Sequence, residues 1–176
     1  MDHNFSRSDS QYHRQPRLPI SRARYQLVPL LSDLFAKKSF SEHRVDQILK
    51  ENHFTTEDRV LFTELFYGFL RTGHRLLFFV DKFLSKPEKL PEKVKWIIAV
   101  AFYQKLSMTQ IEEDDITREA LEMTRHFLRE NSYVEFVNAV LQKFYQHCGR
   151  FQKLDDYPLW VQTSFPEWLC TYLCDQ

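Results

Sequence analysis

The stretch over residues 58–75, DRVLFTELFYGFLRTGHR, limits what this chain can fold into more than any other. Val60, Leu61, Leu65, Phe66, Phe69 and Leu70 recur at helical spacing, and Phe62 and Tyr67 widen the apolar stripe over most of the circumference. A helix of that kind is expected at the centre of a bundle, with other helices laid around it. Gly68 lies in its second half, where glycine costs about 1 kcal/mol relative to alanine. Another backbone, or a ligand, is therefore expected to come close at Gly68.

The rest of the chain supplies partners of the same kind. Only three glycines occur in 176 residues, and sheets with tight turns usually draw on more, so a composition 43% hydrophobic and 15% aromatic points to a helical globular domain. A first helix over 21–36, capped by Ser21, should be kinked or split at Pro29. Ser41 opens a second through 51. Thr55 caps the central helix, with Glu57 and Asp58 in its first turn, and Gly73 is expected to end it. A separate helix over 74–85 follows, then a connector to Pro91. Pro91 begins a helix with Val94, Ile97, Ile98, Ala101 and Phe102 on its core face. Two more helices are expected over 116–130 and 132–147. Ser164-Phe-Pro-Glu167 has the form of a capping box opening a short helix over 168–173.

Charge is informative through its distribution. The formal net charge is zero, yet Arg7, Arg14, Arg17, Arg22 and Arg24 stand against Asp9 alone between residues 7 and 24, whereas 154–176 carries only acids. Residues 1–20 read as a disordered basic arm, 21–148 as the folded domain and 149–176 as an extension. Arginine suits phosphate geometry, which makes the arm a candidate anion contact. The run Glu112-Glu113-Asp114-Asp115 is read as a helix-capping patch rather than a cation site.

No Gly-rich phosphate loop, GxSxG or HExxH occurs, so no cofactor and no catalytic residue is expected in this chain. Cys148, Cys170 and Cys174 form no CxxC pair and do not match zinc-knuckle spacing with His147. With no leader in front of the chain, free thiols in a reducing cytoplasm are expected. The longest purely apolar run, 96–103, is too short to cross a bilayer. Asn138 interrupts the apolar row Val137, Val140, Leu141, Phe144. A buried amide there requires a neighbouring loop or helix end, or a ligand. Tyr67 and Arg71 fall at i and i+4, with His74 and Arg75 beyond, offering a ring and cations of the kind used on single-stranded RNA.

Several of these residues also carry a family resemblance. Glu64-Leu-Phe-Tyr-Gly-Phe-Leu-Arg71, preceded by Asp58-Arg59, resembles the signature helix of the NusB-like domain. Ala101-Phe-Tyr-Gln104, Glu119-Ala-Leu-Glu122 and Phe136-Val-Asn-Ala-Val-Leu141 resemble three further motifs of that domain, in the same order. The form Tyr-Gly-Phe-Leu-Arg, the alanine at 139 and the distal Phe165-Pro-Glu-Trp-Leu169 are more similar to the N-terminal domain of ribosomal RNA cytosine-5 methyltransferases of the RsmB type than to free-standing NusB. Arg118, before the E-A-L-E motif, and Pro29 depart from the family pattern. The Pro-Cys and Thr-Cys motifs of that enzyme's catalytic region are not found, since Cys148 follows His147 while Cys170 and Cys174 each follow leucine.

The resemblance implies an all-α bundle of two three-helix subbundles, RNA as ligand, and a non-catalytic role in positioning ribosomal RNA. Arg17, Arg22 and Arg24 are then expected at phosphates, with Tyr67 and Arg71 as further contacts. The alternative is an antitermination factor or a protein-interaction module that binds a ribosomal protein. A separately encoded methyltransferase domain is a third candidate partner. No membrane partner is expected.

Overall fold

In a computed structural model of the chain, residues 22–37 and 42–175 are described. Among them are eight α-helices and no strand: α1 Arg22–Lys37, α2 Glu42–Glu51, α3 Thr56–Phe83, α4 Glu92–Ser107, α5 Glu113–Phe127, α6 Asn131–His147, α7 Leu159–Thr163 and α8 Glu167–Cys174. The all-helical expectation holds. The basic arm, Arg17 and the cap serines Ser21 and Ser41 lie outside the described residues.

The central helix is α4 rather than α3. Every residue from Trp96 to Gln104 is buried, so α4 shows water no apolar or polar face over that span. It packs against α1, α3, α5 and α6. A helix apolar all round belongs inside, and that rule selects the 96–103 run. Helix α3 instead buries one stripe, Phe62, Leu65, Phe66, Phe69, Leu76, Phe79 and Val80, and leaves Val60 64% and Tyr67 47% exposed.

Gly73 does not end α3. The helix runs unbroken through it for 28 residues, because the Phe35 ring of α1 lies over Gly73, with Cζ 2.5 Å from where a Cβ would stand. Gly68 has the same kind of role: the Tyr103 ring of α4 occupies the space a side chain would need. Close approach was expected there, and what approaches is a phenol. Thr55 does cap α3, its Oγ1 accepting from the Asp58 amide at 3.1 Å. Helix α1 is likewise continuous across Pro29, which removes one N–H from its ladder without splitting it. The acidic run forms the first turn of α5, where Glu113, Asp114 and Asp115 favour the positive helix end.

The chain after residue 148 is fixed to the second half of α3. Phe79 meets Phe151 at 4.5 Å and Tyr157 at 5.4 Å between ring centroids, and Phe78 meets Trp160 at 5.2 Å. Arg75 supplies the polar half of the joint. Its Nε donates to the Val161 carbonyl at 2.8 Å and its Nη2 to the Gln162 carbonyl, so the guanidinium caps the end of α7. Ser164 is not a helix N-cap. It ends α7 in the left-handed conformation (φ 60°), and its Oγ faces the Arg75 amide at 3.2 Å. Arg75 is therefore a structural cation.

Two outcomes test these joints. Gly68→Ala costs about 1–3 kcal/mol of unfolding free energy by overpacking. In a Tyr103→Leu background the same change is neutral or favourable, because alanine is the better helix former by about 1 kcal/mol. Denaturant melts of the four proteins close that cycle. Arg75→Ala raises protease cutting within 159–175 while the helical circular dichroism of the remainder is kept.

Candidate nucleic-acid interface

Of the five residues expected at RNA, four lie among the described residues, in three places. Arg17 lies outside the described residues. Arg22 is exposed at the start of α1, whose first turn carries no acid. Tyr67 and Arg71 are exposed together on α3. Arg24 is the exception: it does not face a ligand. It is 4% exposed, and its Nη2 meets Glu119 Oε2 of α5 at 2.8 Å. With the Gln104 amide oriented so that its oxygen faces the guanidinium, Oε1 accepts from Arg24 Nη2 at 2.6 Å and Nε at 3.3 Å.

The reason lies in helical phase. At about 100° per residue, Arg22 and Arg24 point to nearly opposite sides of α1, so one ligand cannot take both. Arg24 falls in line with Leu27, Val28 and Leu31, which form the core stripe of α1. That signal is readable from spacing alone. Burial pushes the guanidinium below its ordinary value, with Glu119 opposing, and pushes the Glu119 carboxyl above its own, with Arg24 opposing.

Tyr67 and Arg71 share a shallow groove on α3 with Arg59, Val60, Thr63 and Glu64. Several of its charges are already engaged. Arg59 Nη2 donates to the Leu49 carbonyl at 3.0 Å and so caps α2. The Tyr103 hydroxyl donates to Glu64 Oε1 at 3.2 Å, and Arg71 approaches the same phenol. Burial raises the Tyr103 hydroxyl above its usual value, Glu64 adds to this and Arg71 opposes it. The groove therefore offers a free ring edge and one cation beside one carboxylate.

Asn138 is not a buried amide. It and Ala139 are exposed on α6, while Val137, Val140, Leu141 and Phe144 face inward. The internal bond expected of it is unnecessary. Among the described residues no three His, Cys, Asp or Glu side chains group as metal ligands, and no helix is long and apolar enough to cross a membrane.

The Arg24 pair yields a prediction with a definite pH sign. Arg24→Met costs about 3–5 kcal/mol near neutral pH, because Glu119 is left buried and unpaired. Without its cation the folded carboxyl titrates higher still, while the unfolded one keeps a value of about 4.3. The deficit relative to the parent is thus smallest at low pH and opens as pH rises through the interval between the parent's folded Glu119 value and the variant's higher one, since below that interval both proteins lose stability in parallel. Urea melts over a pH series measure it, and a deficit that does not vary with pH would remove Glu119 as the partner.

The residues that build these joints are the residues of the motifs. Asp58, Glu64, Gly68 and Arg71, Tyr103 and Gln104, and Glu119 meet around two points, the phenol of Tyr103 and the guanidinium of Arg24, while Arg59 closes the end of α2. The chain is 28% identical over 142 residues to "Probable ribosomal RNA small subunit methyltransferase B" of Bacillus subtilis (strain 168), covering 79% of this chain and 32% of the relative. It is 24% identical over 152 residues to the protein of the same name from Synechocystis, covering 84% of this chain and 34% of the relative. The chain therefore spans about a third of the length of the curated relatives it matches. Residues 21–146 match the model of the NusB family, and over that span, the greater part of its length, this chain belongs to the NusB family.

Proposed function

We propose that this chain is an RNA-binding module that positions ribosomal RNA for cytosine-5 methylation, itself non-catalytic, with the chemistry carried by a domain of the kind its relatives' names describe. Family membership together with the exposed Arg22 carries the reading. Arg22 stands at the positive end of α1 with no acid in that turn, directly after the basic arm. Arg17 and Arg22 are assigned to phosphates. Tyr67 and Arg71 are assigned to a weaker contact, in which the ring stacks a base. Arg24 holds α1 against α4 and α5 and so orients Arg22 without touching the ligand.

A second reading is a protein-interaction module, with a ribosomal protein or a separately encoded methyltransferase domain as partner. What favours it is the apolar surface of the last helix: Trp168 is 70% exposed, and Phe165, Tyr172 and Leu173 are exposed beside it. Tyr157 packs on Phe78 and Phe79, whereas Trp160 packs on Phe78 and also lines a groove shared with Trp168.

The two readings separate in a salt series. Under the first, the chain binds single-stranded RNA, and Arg17→Ala with Arg22→Ala lowers the slope of log Kd against log salt by about 1.4, two contacts at about 0.7 each. Tyr67→Ala weakens binding with the slope unchanged. Under the second, RNA affinity is absent, while a ribosomal protein or the methyltransferase domain binds and Trp168→Ala abolishes that binding.

A further inference from the structure

One face of α3 stays open along four turns. Val60, Glu64, Tyr67, Leu70 or Arg71, and His74 follow one another three or four positions apart, the spacing of a seam between two paired helices. At about 100° per residue these side chains fall within about a third of the circumference, over about 21 Å of helix. All but His74 are exposed, and His74 is half-buried. At that end Leu70 and His74 line a groove together with Trp168 of α8, whose indole is 70% exposed. Val60, Tyr67, Leu70 and Trp168 are four of the eight large apolar side chains that stand exposed among the described residues, and they share this one strip. Apolar groups gathered in that way mark an interaction surface.

The charges on the strip select its partner. Glu64 precedes Tyr67 by three residues and Arg71 follows it by four, both on the same flank of the apolar row. If a second copy of α3 is laid antiparallel on the first with the two-fold axis at Tyr67, the two tyrosines meet. Val60 then faces His74, and Glu64 faces Arg71, each pair occurring twice. The axis is normal to the plane of the two helices, so a flank of one copy remains the same flank in its mate. Glu64 and Arg71 therefore arrive side by side. Trp168, beside His74, comes to lie over the exposed Val60 of the other copy. A parallel pair would instead set Glu64 on Glu64 and Arg71 on Arg71, which like charges oppose. Both charges are also held in place beforehand, since Glu64 accepts from the Tyr103 hydroxyl at 3.2 Å and Arg71 approaches the same phenol. A carboxylate with two oxygens and a guanidinium with five donors each keep capacity for a further bond.

We propose that this chain forms an isologous dimer through α3, the two helices antiparallel and crossing at Tyr67, with Glu64 of each copy paired to Arg71 of the other and Trp168 covering Val60. The association requires no RNA. It covers Tyr67 and Arg71, the weaker of the RNA contacts assigned above, and Arg22 on α1 is no part of the strip. A second copy and an RNA base thus compete for Tyr67.

Sedimentation velocity of the full chain, without RNA, over a concentration and salt series tests this. A reversible monomer–dimer equilibrium that weakens with salt is expected. Glu64→Arg alone or Arg71→Glu alone sets like charges opposite each other twice and should weaken the dimer at least about tenfold. An equimolar mixture of these two variants should regain the parent's affinity, because each strip of one sign then faces a strip of the other. Tyr67→Lys, which brings two ammonium groups together at the axis, should weaken the dimer about tenfold or more, and Trp168→Ala about threefold or more. A parent chain that is monomeric at about 1 mM overturns the dimer. So does a dimer indifferent to Tyr67→Lys. A mixture of the two charge variants no more associated than either alone overturns the antiparallel pairing.

Discussion

Helix α4 has no side left for water between Trp96 and Gln104, and most of the structure follows from supplying what that span needs. Its apolar positions are met by α1, α3, α5 and α6. Its two polar positions at the C-terminal end are harder to satisfy, because a phenol and an amide buried without partners each cost as much as several methylenes gain. Tyr103 therefore lies over a glycine of α3 with a carboxylate and a guanidinium at its hydroxyl. Gln104 is sandwiched with the Arg24 guanidinium, which in turn needs Glu119. The polar motif residues thus divide into two sets: Tyr103, Gln104 and Glu119 answer to the burial of α4, while Arg59, Glu64, Tyr67, Arg71 and Asn138 are exposed.

That division explains what could be read from the sequence. Element positions were legible wherever period and cap agreed, as at Thr55 with α3 and along the Val137–Phe144 row of α6. Gly73 misled because a glycine near the end of a periodic run has two meanings, helix stop or close approach, and the Phe35 ring that decides between them lies 38 positions earlier in the chain. Ser164 misled for a related reason. A serine followed by proline and glutamate fits a capping box, but it also tolerates the left-handed turn that ends α7. The choice of central helix failed because apolar residues were counted around 58–75 without asking which of them an external face would still accept. Val60 and Tyr67 are such residues.

The arginines show how composition overstates a binding surface. Of those singled out by position, Arg24 holds three helices together, Arg59 caps α2 and Arg75 caps α7. A guanidinium with five donors in a planar fork is suited to closing carbonyl-rich helix ends, which is the same property that suits it to phosphate. Phase along the helix separates the two uses, as the opposite directions of Arg22 and Arg24 demonstrate. A lysine and a ring on different helices, by contrast, leave no mark in a linear reading, and only the fold brings Lys93 to Phe127.

The Arg75 bridge has a consequence for the order in which the chain becomes native. Its bonds join residues 86 and 87 positions apart, and the carbonyls to which it donates stand in the right place only after α7 has formed. Contacts of such separation are closed late, when the intervening chain has already collapsed and little loop entropy remains to be lost. The segment from Phe151 onward is accordingly expected to dock last and to open at a lower free energy than the α1–α6 bundle. Helix α3, about 42 Å long at 1.5 Å per residue, stays intact through that opening. The end of the chain can thus be released or recaptured while the surface around Arg22 is left undisturbed.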